Sequence, residues 1–178
     1  MDFESPRLLF REIKKEDIPL IHNMNCLEEV ARFNTIGIPS DINQTAAMLQ
    51  PAMDNEKEEV RSKYLWLIRS RESQKFIGDI GLNLSPPNKS RAEFYYSLLP
   101  EHWSKGYATE AVKRIIEFAF DSLKLHRLSA GVATGNHASI RVLEKAGLIR
   151  EGIGRKILPI RGEWYDNYSY SLLEDDPR

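Results

Sequence analysis

The chain has 178 residues, of which 42% are hydrophobic and 29% charged, so we expect residues 1–178 to form a single domain with a sizeable core. Lys and Arg number 25 and Asp and Glu 26, so the net charge of -1 gives no basic excess to attract nucleic acid or a membrane surface. The single cysteine, Cys26, excludes an internal disulfide and a multi-cysteine metal site. The apolar runs are too short for a membrane span and the N-terminus does not resemble a signal peptide, which together predict a cytoplasmic protein.

Strand-like and helix-like segments alternate along the chain. Those with strand patterning are, in order, 7–12, 64–69, 75–84, 91–99, 127–133, 148–158 and 164–172. Those with helical spacing are 15–32 (one helix or two), a helix from the loop at 39–41 towards 59, 107–123 and 138–146. Pro51 is expected to interrupt or kink the second helix, and the charged stretch 54–63 to form its solvated end. Strands 64–69 and 75–84 are predicted to pair antiparallel, and Gly147 to be a left-handed helix cap. A mixed sheet in an α/β or α+β domain follows.

The segment 98–109 joins a strand to the most regular helix through a loop containing Gly106. A helix N-terminus exposes unpaired N–H groups at the positive end of its dipole, and glycine allows close approach of a phosphate. A plain loop with Gly106 as a turn residue is the competing interpretation. The chain lacks a P-loop motif, and Gly152 and Gly154 do not continue into a dinucleotide fingerprint.

A second segment of interest begins at Asn136, where a helix cap is expected, with Ser139 in the first turn of that helix. The simple interpretation is a cap worth about 1 kcal/mol. The functional alternative is that both side chains point into a ligand groove.

These segments resemble the motifs of a known superfamily. The run 93–111 resembles the acetyl-CoA-binding motif of the GNAT N-acetyltransferases, and Asn136-x-x-Ser139 leading to 143–148 resembles the motif that follows it. Three further segments resemble the branch that contains the ribosomal-protein N-terminal (alanine/serine) acetyltransferases: 5–8, Trp103 before 105–108, and 162–172. The resemblance implies a mixed, mostly antiparallel sheet of about seven strands, splayed in the middle and flanked by about four helices.

The resemblance also implies a set of residues that bind acetyl-CoA, the co-substrate. Backbone contacts to pantetheine are assigned to Ser97, Leu98 and Leu99. The pyrophosphate is expected to bind to backbone N–H groups of the loop and the helix start, namely those of Lys105, Gly106, Tyr107, Ala108 and Thr109. Trp103 stands at the start of this loop, where the superfamily often has Gln or Arg. Asn136 is expected to contact pantetheine through its amide. No metal is expected.

The implied reaction is direct attack of a primary amine on the thioester. The superfamily's usual tyrosine acid is replaced here by Leu143, so protonation of the leaving thiolate is assigned to Ser139. Glu93 is the first candidate for the base, with Glu163 and Asp166 as alternatives, and the Leu98 N–H is expected to stabilise the oxyanion. For Glu93, a simple exposed surface glutamate is the competing interpretation.

The leading hypothesis is therefore an N-acetyltransferase that acts on a protein N-terminus or on a small-molecule amine. The alternative is a non-catalytic acyl-CoA-binding or regulatory module on the same fold. Neither nucleic acid nor a membrane is expected as a partner. The sequence leaves the acceptor, the general base, the level of activity and a homo-oligomeric state open.

Overall fold

An eight-stranded sheet runs through the computed structural model of the chain, which describes residues 1–55, 61–85 and 90–178. Its strands are β1 (Phe3–Glu4), β2 (Leu8–Glu12), β3 (Lys63–Ser70), β4 (Phe76–Ser85), β5 (Arg91–Leu98), β6 (Arg127–Ala133), β7 (Ile149–Ile160) and β8 (Glu163–Leu173). The order across the sheet is β1-β2-β3-β4-β5-β6-β8-β7, and only β5 and β6 pair in parallel. The mixed, mostly antiparallel sheet is thus confirmed. The count exceeds the expected seven because β1 has two residues, too few to leave a sequence pattern.

Five helices flank the sheet in the described residues: α1 (Ile18–Asn25), α2 (Glu28–Ala31), α3 (Ile42–Asn55), α4 (Tyr107–Glu117) and α5 (His137–Lys145). One more helix is found than expected because the stretch 15–32 is divided into α1 and α2. A π-helical turn, Phe118–Ser122, prolongs α4 to nearly its predicted end. Pro51 lies inside α3 without ending it, so of the two predicted effects the interruption is wrong and the kink stays a prediction. Most of the charged stretch 54–63 lies outside the described residues. None of the helices described is long and apolar enough to cross a membrane.

The residues of β3 alternate between two cores on opposite faces of the sheet. Trp66 and Ile68 belong to the larger core, which also contains Ile115 of α4, whereas Leu65 and Leu67 pack in a smaller core with residues of α1 and α3. Side chains alternate between the two faces of a strand, and here both faces are covered. This explains why β3 is an uninterrupted apolar run in the sequence.

The sheet opens between its two parallel strands. The pairing of β5 with β6 is limited to Arg91–Glu93 against Arg127–Ser129, although β5 continues to Leu98 and β6 to Ala133. Beyond Glu93, no strand of the described residues lies beside this edge of β5. The expected splay in the middle of the sheet is confirmed, and it places an unpaired strand edge next to the loop that precedes α4.

Candidate active site

A cleft of about 670 Å³ lies at the splay, between the end of β5, the N-termini of α4 and α5, and the segment around α2. The structure brings most of the predicted site residues to its wall: Ser97, Leu98, Trp103, Gly106, Tyr107, Ala108, Thr109, Asn136 and Ser139. Residues from α2 and the turn after it, including Glu29, Arg32 and Phe33, close the opposite side. The two segments singled out in the sequence therefore face one another across a single space.

The backbone N–H groups at the N-terminus of α4 are not capped by the side chain of the N-cap residue. Gly106 is the N-cap with φ of 80°, a left-handed conformation that glycine adopts without strain, and no side chain caps the helix. The Gly106 carbonyl accepts the first helical bond from Glu110 N at 3.0 Å. Among the described residues, no side chain is found to accept from the N–H groups of this first turn, whose residues line the cleft, as an anion site requires.

The edge of β5 that faces the splay is formed by alternate residues. Leu99 N donates to Ile77 O at 2.9 Å, so by the antiparallel alternation the backbone groups of Ser97 also point towards β4, while those of Tyr96 and Leu98 point into the splay. The indole Nε1 of Trp103 donates to Leu98 O at 2.8 Å. Trp103 therefore ties the loop before α4 to the end of β5. The Leu99 N–H is not available to a ligand, because it donates to Ile77 O. Tyr96 lies on the edge that faces the splay, although the sequence analysis did not select it.

The N-terminus of α5 holds a serine in the cleft. The Asn136 Oδ1 accepts a hydrogen bond from Ser139 N at 3.2 Å, so the cap expected from the sequence is present. The Ser139 Oγ lies 2.8 Å from the Tyr96 hydroxyl. Burial raises the pKa of Tyr96 to about 12, against the lowering effect of its bond to Ser139, so the phenol stays protonated at neutral pH. Alternation along β5 was the signal in the sequence that could have placed Tyr96 here.

Five residues that the sequence analysis considered do not line the cleft: Glu93, Leu99, Lys105, Glu163 and Asp166. Glu93 is exposed at the start of β5, opposite Asn83 and Ser129, where the sheet is still fully paired. Lys105 points outwards, and Leu99 lies beyond the wall of the cleft. The role of Glu93 as a base stays a prediction.

Asp79 of β4 is a buried carboxyl that the sequence analysis did not select. It is 7% exposed and pairs with Ser97, next to the splay. Burial raises its pKa to about 7, although backbone N–H groups at Ser97 and Asp79 oppose the rise. Its position inside an apolar strand, where a charged residue is rarely placed without reason, was the available signal. Among the described residues, no group of three or more His, Cys, Asp or Glu side chains could hold a metal ion.

Comparison with known proteins agrees with the fold and the cleft. The family model described as "Acetyltransferase (GNAT) domain" matches residues 7–149. The uncharacterized N-acetyltransferase YoaA of Bacillus subtilis (strain 168) is 34% identical over 173 residues, which is 96% of each chain. Fold and relatives together define an acyltransferase.

Two solved structures share the architecture. The ribosomal-protein-S5-alanine acetyltransferase of Vibrio fischeri superposes with a TM-score of 0.84 at 24% identity, covering 100% of this chain and 99% of the other. A spermidine N-acetyltransferase of Vibrio cholerae, solved in complex with CoA and spermine, superposes with a TM-score of 0.83 at 22% identity, covering 96% and 97%. The chain belongs to the GNAT acetyltransferase family.

Proposed function

We propose that the protein transfers the acetyl group of acetyl-CoA to a primary amine. The observation that carries this proposal is the convergence of two unsatisfied backbone surfaces in one cleft, namely the uncapped N-terminus of α4 and the unpaired edge of β5. The first suits a pyrophosphate and the second an extended chain of amides such as pantetheine. A ligand that needs both is a coenzyme A thioester, and the solved Vibrio cholerae relative contains CoA.

The proposed cofactor contacts follow from these surfaces. The pyrophosphate is bound by N–H groups of the loop and helix start: Lys105, Gly106, Tyr107, Ala108 and Thr109. Pantetheine runs along β5 through the backbone of Leu98, supplemented by Tyr96, and the Asn136 amide donates to it because its oxygen is already used by Ser139 N. The N–H groups of Ser97 and Leu99 face β4, and the Leu99 carbonyl accepts a hydrogen bond from His102 N at 2.9 Å. The predicted contact at Ser97 is therefore proposed to involve its side chain, while Leu99 has no N–H left for pantetheine.

The acid and the base are proposed separately. The Ser139 hydroxyl, held by Tyr96, protonates the thiolate as it leaves, and the Leu98 N–H stabilises the oxyanion. A protonated amine must lose a proton before it attacks. Glu93, Glu163 and Asp166 remain candidates for this base.

The acceptor is proposed to be a primary amine of a protein N-terminus or of a small molecule, in the cytoplasm. The two solved relatives differ on this point, since one is a ribosomal-protein acetyltransferase and the other was crystallised with spermine. A homo-oligomer is compatible with the site. The alternative is a non-catalytic module that binds acyl-CoA but has lost a catalytic group. The presence of Ser139 in the cleft favours the catalytic hypothesis.

The test is a calorimetric titration of the protein with acetyl-CoA, with acetate as the control ligand. Saturable binding at one site per chain is expected, followed by thiol release when amines and N-terminal peptides are supplied. Absence of acetyl-CoA binding would contradict the proposal. Tight binding without turnover on any amine would support the non-catalytic module instead.

A further inference from the structure

Two residues that precede β2 contact the first turn of α4 from outside the cleft. The Glu110 carboxylate accepts hydrogen bonds from Ser5 Oγ at 2.7 Å, from Arg7 N at 2.8 Å and from Arg7 Nε at 2.6 Å. The Glu110 side chain is only 15% exposed. These bonds therefore replace the water that the carboxylate loses on burial.

The guanidinium of Arg7 continues from Glu110 onto the loop before α4. Its Nη1 donates to Lys105 O at 3.0 Å, and its carbon lies 4.6 Å from the centre of the Tyr107 ring. Its Nη2 is 3.3 Å from the place that a Cβ on Gly106 would occupy. One side chain thus contacts three consecutive residues, 105–107, whose N–H groups are the proposed pyrophosphate donors.

The charges of this arrangement compensate one another. Burial by itself would raise the pKa of Glu110, but hydrogen bonds from Ser5 and Arg7 and the charge of Arg7 lower it below its usual value. Glu110 is therefore ionised at neutral pH and would repel a pyrophosphate bound one turn away. Arg7 supplies a positive charge that cannot be lost by deprotonation, so the pair carries little net charge.

We infer that Arg7 is a positioning residue that, anchored by Glu110, holds the loop 105–107 in the conformation that binds the pyrophosphate of an acyl-CoA. The inference rests on the proposed function. Arg7 is not part of the cleft wall, so it acts through the loop and not on the cofactor. The arrangement also explains how a segment near the start of the chain supports a site built from its second half.

The test compares Arg7→Ala and Glu110→Gln with the control Arg71→Ala. Arg71 donates to Ser5 O at 3.1 Å, so the control removes an arginine that binds the same N-terminal segment. Hydrogen exchange of residues 103–110 is measured without ligand, and CoA affinity by calorimetry. Both test variants should exchange faster in this loop, because each loses the charged Arg7–Glu110 bonds. Arg7→Ala should also bind CoA about tenfold more weakly. Glu110→Gln removes a charge that repels the pyrophosphate, so its loop exchange is the measurement that tests the anchor. The control should match the parent protein in both measurements.

Arg7→Lys should not restore CoA affinity, because one ammonium group cannot hold Glu110 and the Lys105 carbonyl in the same geometry. Unchanged loop exchange in Arg7→Ala, or faster exchange with unchanged CoA affinity, would overturn the inference about Arg7 alone. Failure of the parent protein to bind CoA would overturn the proposed function and, with it, the positioning role. If Arg7→Ala does not fold, Glu110→Gln decides the question by its hydrogen exchange: unchanged exchange of residues 103–110 would overturn the anchoring of Arg7 by Glu110.

Discussion

The Ser139 hydroxyl lies 2.8 Å from the hydroxyl of Tyr96, across the cleft from the N-terminus of α4. The serine comes from α5 and the tyrosine from the unpaired edge of β5, so the contact spans the two sides of the splay. A hydroxyl held by a second hydroxyl can pass a proton to a leaving group and regain one from its neighbour. This pair is the basis of the first prediction.

Ser139→Ala is expected to leave the affinity for acetyl-CoA unchanged and to lower turnover about a hundredfold or more, because the thiolate then leaves without a proton donor. Thiol release under saturating acetyl-CoA measures turnover, and calorimetry measures affinity. Tyr96→Phe is the companion variant, since it keeps Ser139 but removes its partner, and should give a smaller loss. Equal turnover in Ser139→Ala and the parent protein would refute the role of Ser139.

Gly106→Ala is expected to weaken acetyl-CoA binding, because φ of 80° places an alanine under strain of about 1–2 kcal/mol and its Cβ would meet Arg7. Gly147→Ala is a matched control. Gly147 has φ of 96° with no atom within 4 Å of an added Cβ, and it follows the C-terminus of α5 without lining the cleft. Denaturant unfolding should show a similar loss of stability in both variants, whereas only Gly106→Ala should show weaker binding. If Gly106→Ala binds acetyl-CoA as tightly as Gly147→Ala does, the conformation of the loop before α4 does not contribute to cofactor binding.

The roles of the oxygen and the nitrogen of the Asn136 amide can be tested independently. Asn136→Asp keeps an oxygen that can accept from Ser139 N, but it loses the Nδ2–H donor proposed for pantetheine. The free energy of unfolding should therefore change little, while acetyl-CoA affinity falls. Asn136→Ala should lose about 1 kcal/mol of stability as well as affinity. Retained affinity in both variants would leave Asn136 as a helix cap only.

Asp79 makes the stability of the protein depend on pH. Its pKa rises from 3.8 to about 7 on folding, so between these values the native state binds more protons than the unfolded state and stability falls as pH rises. The loss is on the order of 4 kcal/mol and is complete above the folded pKa. Asp79→Asn should flatten this part of the curve, measured by urea unfolding from pH 4 to pH 8. Parallel curves for the two proteins would show that Asp79 is not held protonated.

The sequence by itself determined the elements whose residues repeat a pattern over many positions. The apolar run of 64–69 and the three-and-four spacing of 107–123 placed β3 and α4, because a strand buried on both faces leaves a continuous apolar run and a helix buried on one face leaves a period. The Gly106 loop and the Asn136 cap were also visible, since each depends on local backbone chemistry. The two-residue β1 was not, because so few residues leave no periodic signal, and the sequence left open whether 15–32 forms one helix or two.

Only the tertiary structure decided which of these residues meet. Register along β4 and β5 shows that Leu98, and not Ser97, offers its backbone to the splay, and it places Tyr96 beside Ser139. The tertiary structure also leaves Glu93 outside the cleft and brings Arg7 into contact with the loop before α4. Hydrogen bonds between residues far apart in the chain depend on strand order and on where two strands part. A sequence records these contacts only through the fold that creates them, because no local propensity depends on a partner a hundred residues away.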